Sequence, residues 1–251
     1  MKVKRREQQI ISLLETHKEI SVNKLSRLLD CSVSTIRKQL AVMEANGLLI
    51  RTYGGAMVID RVTDESFDSK SHKSISEKRR IAEKARSIIP NGASVALGSG
   101  TTVFSLANLL GNRYSGVVYT NSMQAADFLS NCPGLEVHVS CGVVRGHTGT
   151  IIGNEVTEYF HGLHGVDFAF IGCDAIDENG NVFNDNLAVA AAEKILLESA
   201  RNRYIVCDSS KFGKSSTARV TNLRNCAGLI TCATRETLPD LYFSLTKTIL
   251  A

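Results

Sequence analysis

A glycine- and hydroxyl-rich loop near the middle of the sequence could bind a phosphate group. It reads Gly98-Ser99-Gly100-Thr101-Thr102 and lies between an apolar run at 93–97 and an amphipathic run that begins at Val103. Glycine lets the backbone approach a ligand closely, while hydroxyls and the amides of a helix N-terminus donate hydrogen bonds to anions. The loop is not the G-x-x-x-x-G-K-[ST] pattern of nucleotide-binding loops. A tight turn without a ligand is therefore the alternative.

Four further polar clusters follow apolar runs, and their side chains suit a phosphorylated sugar. Lysine or arginine would bind the phosphate, and aspartate or asparagine would bind the hydroxyls. Ordinary turn chemistry remains the alternative for any single residue. The clusters are Thr120-Asn121-Ser122, Cys141-Gly142 with Arg145, Gly172-Cys173-Asp174 with Asp177, and Asp208-Ser209-Ser210-Lys211. The residues expected to bind this effector are Ser99, Gly100, Thr101, Thr102, Thr120, Asn121, Ser122, Gly142, Arg145, Gly172, Asp174 and Lys211.

A second group of basic and hydroxyl side chains lies in the N-terminal quarter of the chain. Residues 1–60 hold ten Lys/Arg against six Asp/Glu, whereas residues 61–251 hold nineteen of each, so the net charge of +4 is confined to the first segment. Such side chains contact the phosphates and base edges of DNA. A small helical dimerisation unit with solvated arginines is the alternative. The residues expected at double-stranded DNA are Lys4, Arg5, Arg6, Ser21, Ser32, Ser34, Thr35, Arg37, Lys38, Arg51 and Tyr53.

The elements that must position this basic group are three short helices and a hairpin. Apolar residues recur at helical spacing over 3–17, again after the N-cap candidate Ser21, and from about Ser34 to Asn46-Gly47. Two strand-like runs then flank Gly54-Gly55, a pair typical of hairpin turns. The pattern predicts a winged helix-turn-helix, whose second helix enters the major groove of DNA.

The elements that must position the polar clusters are alternating strands and helices. Residues 60–73 are polar and read as a linker, and Ser74 with Glu77 forms a capping-box pattern at the start of a helix. Strand candidates lie at 93–97, 116–120, 135–140, 167–172, 203–208 and 228–231, with helical runs between them. Such alternation predicts a Rossmann-like, mainly parallel α/β domain whose ligands bind at the carboxyl ends of the strands. We expect a DNA-binding domain over 1–59, a linker over 60–73 and an effector domain over 74–251.

Composition excludes several other classes of protein. The seven cysteines are scattered without a C-x-x-C pair, so we expect neither disulfides nor a metal site, and no motif calls for a cofactor. No apolar run approaches the ~20 residues of a membrane span, and the N-terminus lacks the apolar stretch of a signal peptide. We expect a cytoplasmic protein without a membrane partner.

The N-terminal motifs resemble the DeoR family of bacterial regulators of sugar metabolism, and the second domain is similar to that family as well. The resemblance implies a repressor that leaves its operator when a phosphorylated sugar binds. Lys38-Gln39 and Tyr53 stand where the family has Arg-Asp and His, at positions expected to read or grip DNA. The segments that carry the resemblance are 33–40, 43–47, 51–56, 99–102, 120–122, 170–172 and 208–213.

The second domain also looks like ribose-5-phosphate isomerase. This likeness implies that Asp174 falls on an active-site aspartate and that Glu193 falls on the general base, so Glu193 joins the effector-binding residues. The isomerase Lys-Gly-Gly-Gly stretch is Asn184-Asp185-Asn186-Leu187 here, which removes much of the catalytic machinery. We therefore expect no catalytic residue. The alternatives to a regulator are a sugar-phosphate isomerase with an appended DNA domain and a metabolite-binding module whose first domain serves protein contacts.

Overall fold

The computed structural model describes residues 2–17, 19–45, 49–52, 54–57, 66–111 and 114–251. The chain divides into two compact units, residues 1–63 and 64–251. None of the helices in these ranges is long and apolar enough to cross a membrane.

The first unit is a winged helix-turn-helix, as predicted. Its three-stranded antiparallel sheet has the order β1-β3-β2. The core contains Ile10 and Leu14 from the first helix, Leu25 from the second, and Ile36 and Leu40 from the third, all at most 2% exposed. The elements are α1 (Lys2–His17), β1 (Glu19–Ser21), α2 (Val22–Leu28), α3 (Val33–Ala45), β2 (Ile50–Thr52) and β3 (Gly55–Met57).

The strand β1 is absent from the sequence prediction, and it gives Gly55 a different role from the predicted turn. Gly55 in β3 pairs with Ser21 in β1. A Cβ atom added to Gly55 would lie 2.3 Å from the carbonyl oxygen of Ile20. Only glycine therefore fits at this position without moving the backbone of β1.

The second unit alternates helices and strands around one large sheet. Its elements are α4 (Phe67–Ser71), α5 (Ile75–Ser87), β4 (Val95–Leu97), α6 (Thr101–Leu110), β5 (Gly116–Thr120), α7 (Met123–Ser130), β6 (Leu135–Val139), β7 (Val143–Arg145), β8 (Thr150–Ile152), α8 (Asn154–His161), β9 (Val166–Ile171), β10 (Ala175–Ile176), β11 (Asn181–Asn184), α9 (Leu187–Glu198), β12 (Ala200–Cys207), β13 (Ala218–Asn222), β14 (Gly228–Thr231), α10 (Asp240–Leu245) and β15 (Lys247–Leu250).

Seven parallel strands form the large sheet in the order β15-β14-β12-β9-β4-β5-β6. Apolar cores cover both faces, and side chains of β4 alternate between them: Val95 and Leu97 pack with residues of α5, α6 and α7, while Ala96 packs with residues of α8 and α9. Parallel strands with helices on both faces bring their carboxyl ends to one edge of the sheet. The predicted α/β fold is confirmed.

The second unit also contains two smaller sheets that the sequence analysis did not predict. The hairpin β7-β8 and the antiparallel sheet β10-β11-β13 consist of strands of two to five residues. Runs this short carry little period-two signal. Both sheets are separate from the large sheet but start near the carboxyl ends of its strands, since β7 follows β6 and β10 follows β9.

Two local predictions around the start of the second unit are wrong. Phe67–Ser71, inside the predicted linker, forms the helix α4 with Ser66 as its N-cap. Ser74 makes no side-chain cap at α5 and has a left-handed backbone with φ of 50°. Glu77 instead accepts hydrogen bonds from the backbone amide of Ser209 at 2.8 Å and from its hydroxyl at 2.9 Å. A contact from a loop 132 residues away outcompetes the local cap.

Candidate functional site

The third helix of the first unit has one buried and one exposed face. Ile36, Leu40 and Met43 are at most 1% exposed, so the apolar residues that recur at helical spacing after Ser34 form the buried face. Arg37 and Lys38 are exposed on the opposite face. The apolar seam thus orients two cations outward on the helix that would enter a major groove.

Three hydroxyls cluster at the N-terminus of α3. The Ser32 hydroxyl accepts a hydrogen bond from the backbone amide of Thr35 at 3.2 Å. It also lies 2.9 Å from the Ser34 hydroxyl and 2.7 Å from the Thr35 hydroxyl. Ser32 and Ser34 are exposed. These groups satisfy the first turn of the helix and remain available to phosphate oxygens.

The wing is joined to α3 through Arg51. Its guanidinium lies 3.7 Å from the Glu44 carboxylate, and its backbone amide donates to the same carboxylate at 2.9 Å. Both side chains remain 43% exposed, so the pair is solvent-screened and Arg51 is accessible to DNA.

The remaining predicted DNA contacts divide into three cases. Ser21 caps α2 by accepting from the amide of Lys24 at 3.2 Å. Arg6 lies half-buried on α1. Lys4 and Arg5 belong to α1 but their side chains lie outside the described part, as does the whole of Tyr53.

Gln39 does not lie on the exposed face of α3, although the sequence placed it among the residues expected to read or grip DNA. It is 8% exposed, and its side-chain amide donates to the Glu7 carboxylate on α1 at 2.9 Å. Helical geometry explains the difference, because the neighbours Lys38 and Gln39 point about 100° apart around the helix axis.

The second unit has a polar pocket at the carboxyl ends of its central strands. The pocket holds about 810 Å³ of space, its open mouth included. The structure brings nine of the thirteen predicted effector residues together in its lining: Ser99, Gly100, Thr101, Thr102, Arg145, Gly172, Asp174, Glu193 and Lys211.

The loop predicted to bind phosphate begins the helix α6 at this pocket. Gly100 is the N-cap and no side chain caps the helix. Ser99 and Thr102 are at most 9% exposed. The first amides of α6 therefore adjoin the pocket beside two hydroxyls, an arrangement that favours an anion.

Five cations line the pocket, three of which the sequence reasoning missed: Lys70, Lys73 and Lys78. Lys78 is 5% exposed, and its ammonium donates a hydrogen bond to the carbonyl oxygen of Lys70. Burial lowers the pKa of Lys78 below its usual range; the Asp208 carboxylate raises it, and nearby lysines lower it further. A bound anion would relieve this crowding of positive charge.

A wall of carboxyl groups faces these cations. Asp174 pairs with Lys70 at 2.8 Å and accepts from the amide of Asp185 at 3.1 Å. Glu193 is 1% exposed; burial raises its pKa well above the usual range, and the charge of Asp174 raises it further. The side-chain amide of Asn184 donates to Glu193 at 3.4 Å. That hydrogen bond lowers the pKa, but burial and the charge of Asp174 outweigh it and favour the protonated form of Glu193, which can both donate to and accept from a hydroxyl.

Four predicted effector residues lie outside the pocket lining. Thr120, Asn121 and Ser122 are at most 2% exposed and support the chain reversal after β5. Ser122 caps α7 by accepting from the amide of Ala125 at 3.3 Å. A Cβ at Gly142 would lie 2.6 Å from the carbonyl oxygen of Ile152. Backbone geometry accounts for Ser122 and Gly142, whereas the buried side-chain oxygen of Asn121 has no hydrogen-bond partner among the described residues.

Cys173, Asp208 and Ser210 belong to predicted strand-end clusters but were not chosen, whereas other missed pocket residues come from segments that carried no strand-end signal. Lys70 and Lys73 lie in the predicted linker, and Thr148 and Thr150 lie around the unpredicted hairpin β7-β8. Lys78 lies on the buried side of α5, where a lysine breaks the apolar stripe of Ile81 and Ala85. That interruption was the one signal that could have identified it. No group of three or more potential metal ligands occurs within the described residues.

Two family models match this chain and together span most of its length. Residues 6–62 match a DeoR-like helix-turn-helix domain, and residues 73–232 match the DeoR C-terminal sensor domain.

Curated relatives carry names of transcriptional regulators. A putative aga operon transcriptional repressor of Escherichia coli O157:H7 is 34% identical, covering 86% of this chain and 81% of the relative. An L-fucose operon activator of Haemophilus influenzae is 30% identical, covering 94% of this chain and 93% of its own. Among solved structures, ribose 5-phosphate isomerase A of Methanocaldococcus jannaschii aligns with a TM-score of 0.41 and 20% identity, over 56% of this chain and 55% of that one.

Proposed function

Since the chain belongs to the DeoR family of transcriptional regulators, we propose that it represses a carbohydrate-utilisation operon and leaves the operator when a phosphorylated sugar binds. The first unit would bind DNA and the second would bind the effector. The names of the relatives favour this regulator over the isomerase considered from the sequence, because they are regulators of transcription.

The single observation that carries the effector proposal is the composition of the pocket in the second unit. Helix amides and five cations can bind a phosphate, while Asp174, Asn184 and Glu193 can bind hydroxyls. The five cations in the lining outnumber its three carboxyl groups, those of Asp174, Glu193 and Asp208, so a dianionic phosphate is electrostatically favoured.

The exposed face of α3 supports operator binding. Ser34, Arg37 and Lys38 would contact bases and phosphates, and Arg51 would contact the backbone from the wing. One such helix reads only a few base pairs, so a homo-oligomer that binds repeated half-sites is part of the proposal.

Effector and operator must be linked by a coupling free energy, and the linkage is reciprocal. If the effector lowers operator affinity by some factor, the operator lowers effector affinity by the same factor. Ligand binding in the second unit would thus control DNA binding by the first.

A genomic selection with the full chain tests the DNA part. Fragments retained by the protein are sequenced and retested by gel shift, and we expect a repeated half-site motif and a steep loss of affinity with salt. Retention of fragments without a shared motif would reject sequence-specific binding.

A thermal-shift screen of the full chain tests the effector part. The panel contains fructose 1-phosphate, fructose 6-phosphate, glucose 6-phosphate, glycerol 3-phosphate and the matching unphosphorylated sugars. A ligand that binds only the native state raises the melting temperature. Lys211→Gln should weaken the shift, whereas Lys194→Gln, an exposed lysine outside the pocket, should preserve it. Equal shifts with and without the phosphate group would contradict the assignment.

A further inference from the structure

The helix α4 forms part of the pocket wall, although the sequence around it reads as a linker. Phe67 and Lys70 of this helix line the pocket together with strand-end residues. The ring of Phe67 packs edge-on against Phe104 of α6, with the ring centres 5.5 Å apart. The backbone amide of Phe67 donates to the carbonyl of His147 at 2.9 Å.

Two polar contacts that hold α4 are made by groups inside the pocket. Lys70 pairs with Asp174 at 2.8 Å, and their side chains are 22% and 15% exposed. Lys78 donates a hydrogen bond to the carbonyl oxygen of Lys70. Each contact therefore uses a cation or carboxylate that also faces the space where a ligand would lie.

The same groups are those that a sugar phosphate needs. Both carboxylate oxygens of Asp174 are engaged, one by Lys70 and one by the amide of Asp185 at 3.1 Å. A ligand hydroxyl that donates to the Asp174 oxygen facing Lys70 would share that acceptor with the ammonium and weaken the ion pair. A phosphate at the start of α6 would likewise attract the buried ammonium of Lys78 away from the carbonyl of Lys70.

We propose that α4 is the ligand-responsive element of the pocket: a ligand hydroxyl replaces Lys70 at Asp174, a ligand phosphate draws Lys78 away from the Lys70 carbonyl, and α4 loosens. The inference rests on the proposed function, because it takes a phosphorylated sugar as the ligand. Lys70 acts here as a positioning residue for α4. The ligand must combine a phosphate with at least one hydroxyl, since each part releases one of the two contacts.

The location of α4 in the chain gives this release a consequence. Phe67 follows Met57, the last residue of β3, by ten positions in the sequence. The helix α4, which would respond to ligand, is thus the first element of the second unit and the closest in sequence to the first unit.

Hydrogen exchange of the full chain without ligand tests whether the ion pair holds α4. Peptides that cover 66–74 report the amides of Phe67, Lys70 and Lys73, which donate to backbone carbonyls. Lys70→Gln and Asp174→Asn should each speed exchange there about fivefold to tenfold, without changing peptides of β12. Lys84→Gln, an exposed lysine of α5, should leave 66–74 unchanged. Exchange of 66–74 that is unaffected in both pocket variants, or already at the unprotected rate in the parent chain, would overturn the proposal.

The second arm adds fructose 1-phosphate, glycerol 3-phosphate or inorganic phosphate at concentrations that raise the melting temperature. The two hydroxyl-bearing probes should speed exchange of 66–74 while slowing that of 99–104, and inorganic phosphate should slow 99–104 with a smaller effect on α4. Slower exchange in both segments would mean that α4 closes on the ligand, against the proposal. If no probe changes the melting temperature, the proposed ligand class fails, while the unliganded variants still decide the role of the ion pair.

Discussion

Replacing Arg37 with alanine separates DNA recognition from folding, and Gln39→Ala is its matched partner on the same helix. Arg37 is exposed, with no ion pair in the described part of the chain, so its loss should change the free energy of unfolding by no more than ~0.5 kcal/mol. Gln39 is 8% exposed and bonded to Glu7. Its loss should cost about 1–2 kcal/mol of stability, since hydrogen bonds to charged groups contribute about 1.5–3 kcal/mol and Glu7 is only half-buried.

The effects on DNA binding should be reversed. An arginine contact to a base contributes about 1–3 kcal/mol, so two half-sites would lose about 2–6 kcal/mol, which is roughly 30-fold to 20,000-fold in affinity. If Arg37 contacts a phosphate instead, the loss of affinity should be the same for all DNA sequences. The slope of log K against log salt concentration should then become shallower by about 0.9 for each contact removed. Gln39→Ala should bind normally well below its melting temperature.

Fluorescence anisotropy with the selected operator, at several salt concentrations, measures the binding side, and urea unfolding measures the stability side. Two results would refute the assignment of the α3 surface. One is Arg37→Ala with unchanged operator affinity and salt dependence; the other is Gln39→Ala with lost binding and unchanged stability.

Three further outcomes follow from the second unit. The pKa of Glu193 is raised in the folded state, so the native state keeps a proton that the unfolded state loses once the pH exceeds the usual carboxyl pKa of 4.5. The free energy of unfolding should therefore decline as the pH rises from 4.5 to the folded-state pKa, by at most about 1.4 kcal/mol per pH unit. Glu193→Gln should flatten this dependence in thermal unfolding between pH 5 and 8, and an unchanged slope would mean that another group is responsible. Ser74→Gly should raise stability by up to about 1 kcal/mol because Ser74 has φ of 50° and no cap to lose, whereas a functioning capping box would predict a loss. Glu77→Ala should cost about 0.5–1.5 kcal/mol in urea unfolding, because the exposed amide and hydroxyl of Ser209 lose their acceptor but remain open to water, and a neutral effect would show that water replaces the carboxylate completely.

Most of the architecture could be predicted because apolar residues recur at helical or strand spacing over many positions of the sequence. The seam of Ile36, Leu40 and Met43 fixes which face of α3 is buried, and therefore that Arg37 and Lys38 point outward. Alternating runs likewise predicted the parallel sheet, so the loop 98–102 and Asp174 could be placed at one edge of it. Both inferences depend only on the spacing of residues that are near one another in the sequence, so they need no knowledge of tertiary contacts.

The tertiary structure alone decided which polar loops meet. Thr120-Asn121-Ser122 and the loop at 98–102 look alike in sequence, yet only the latter lines the pocket. Lys70 joins the site from a segment without periodicity because Asp174, 104 residues away, provides its partner. Glu77 caps a distant loop instead of its own helix. A side chain whose most favourable partner lies far along the chain gives no signal in the local sequence. Its distant partner can replace a local one only after folding of the sheet brings the two residues together.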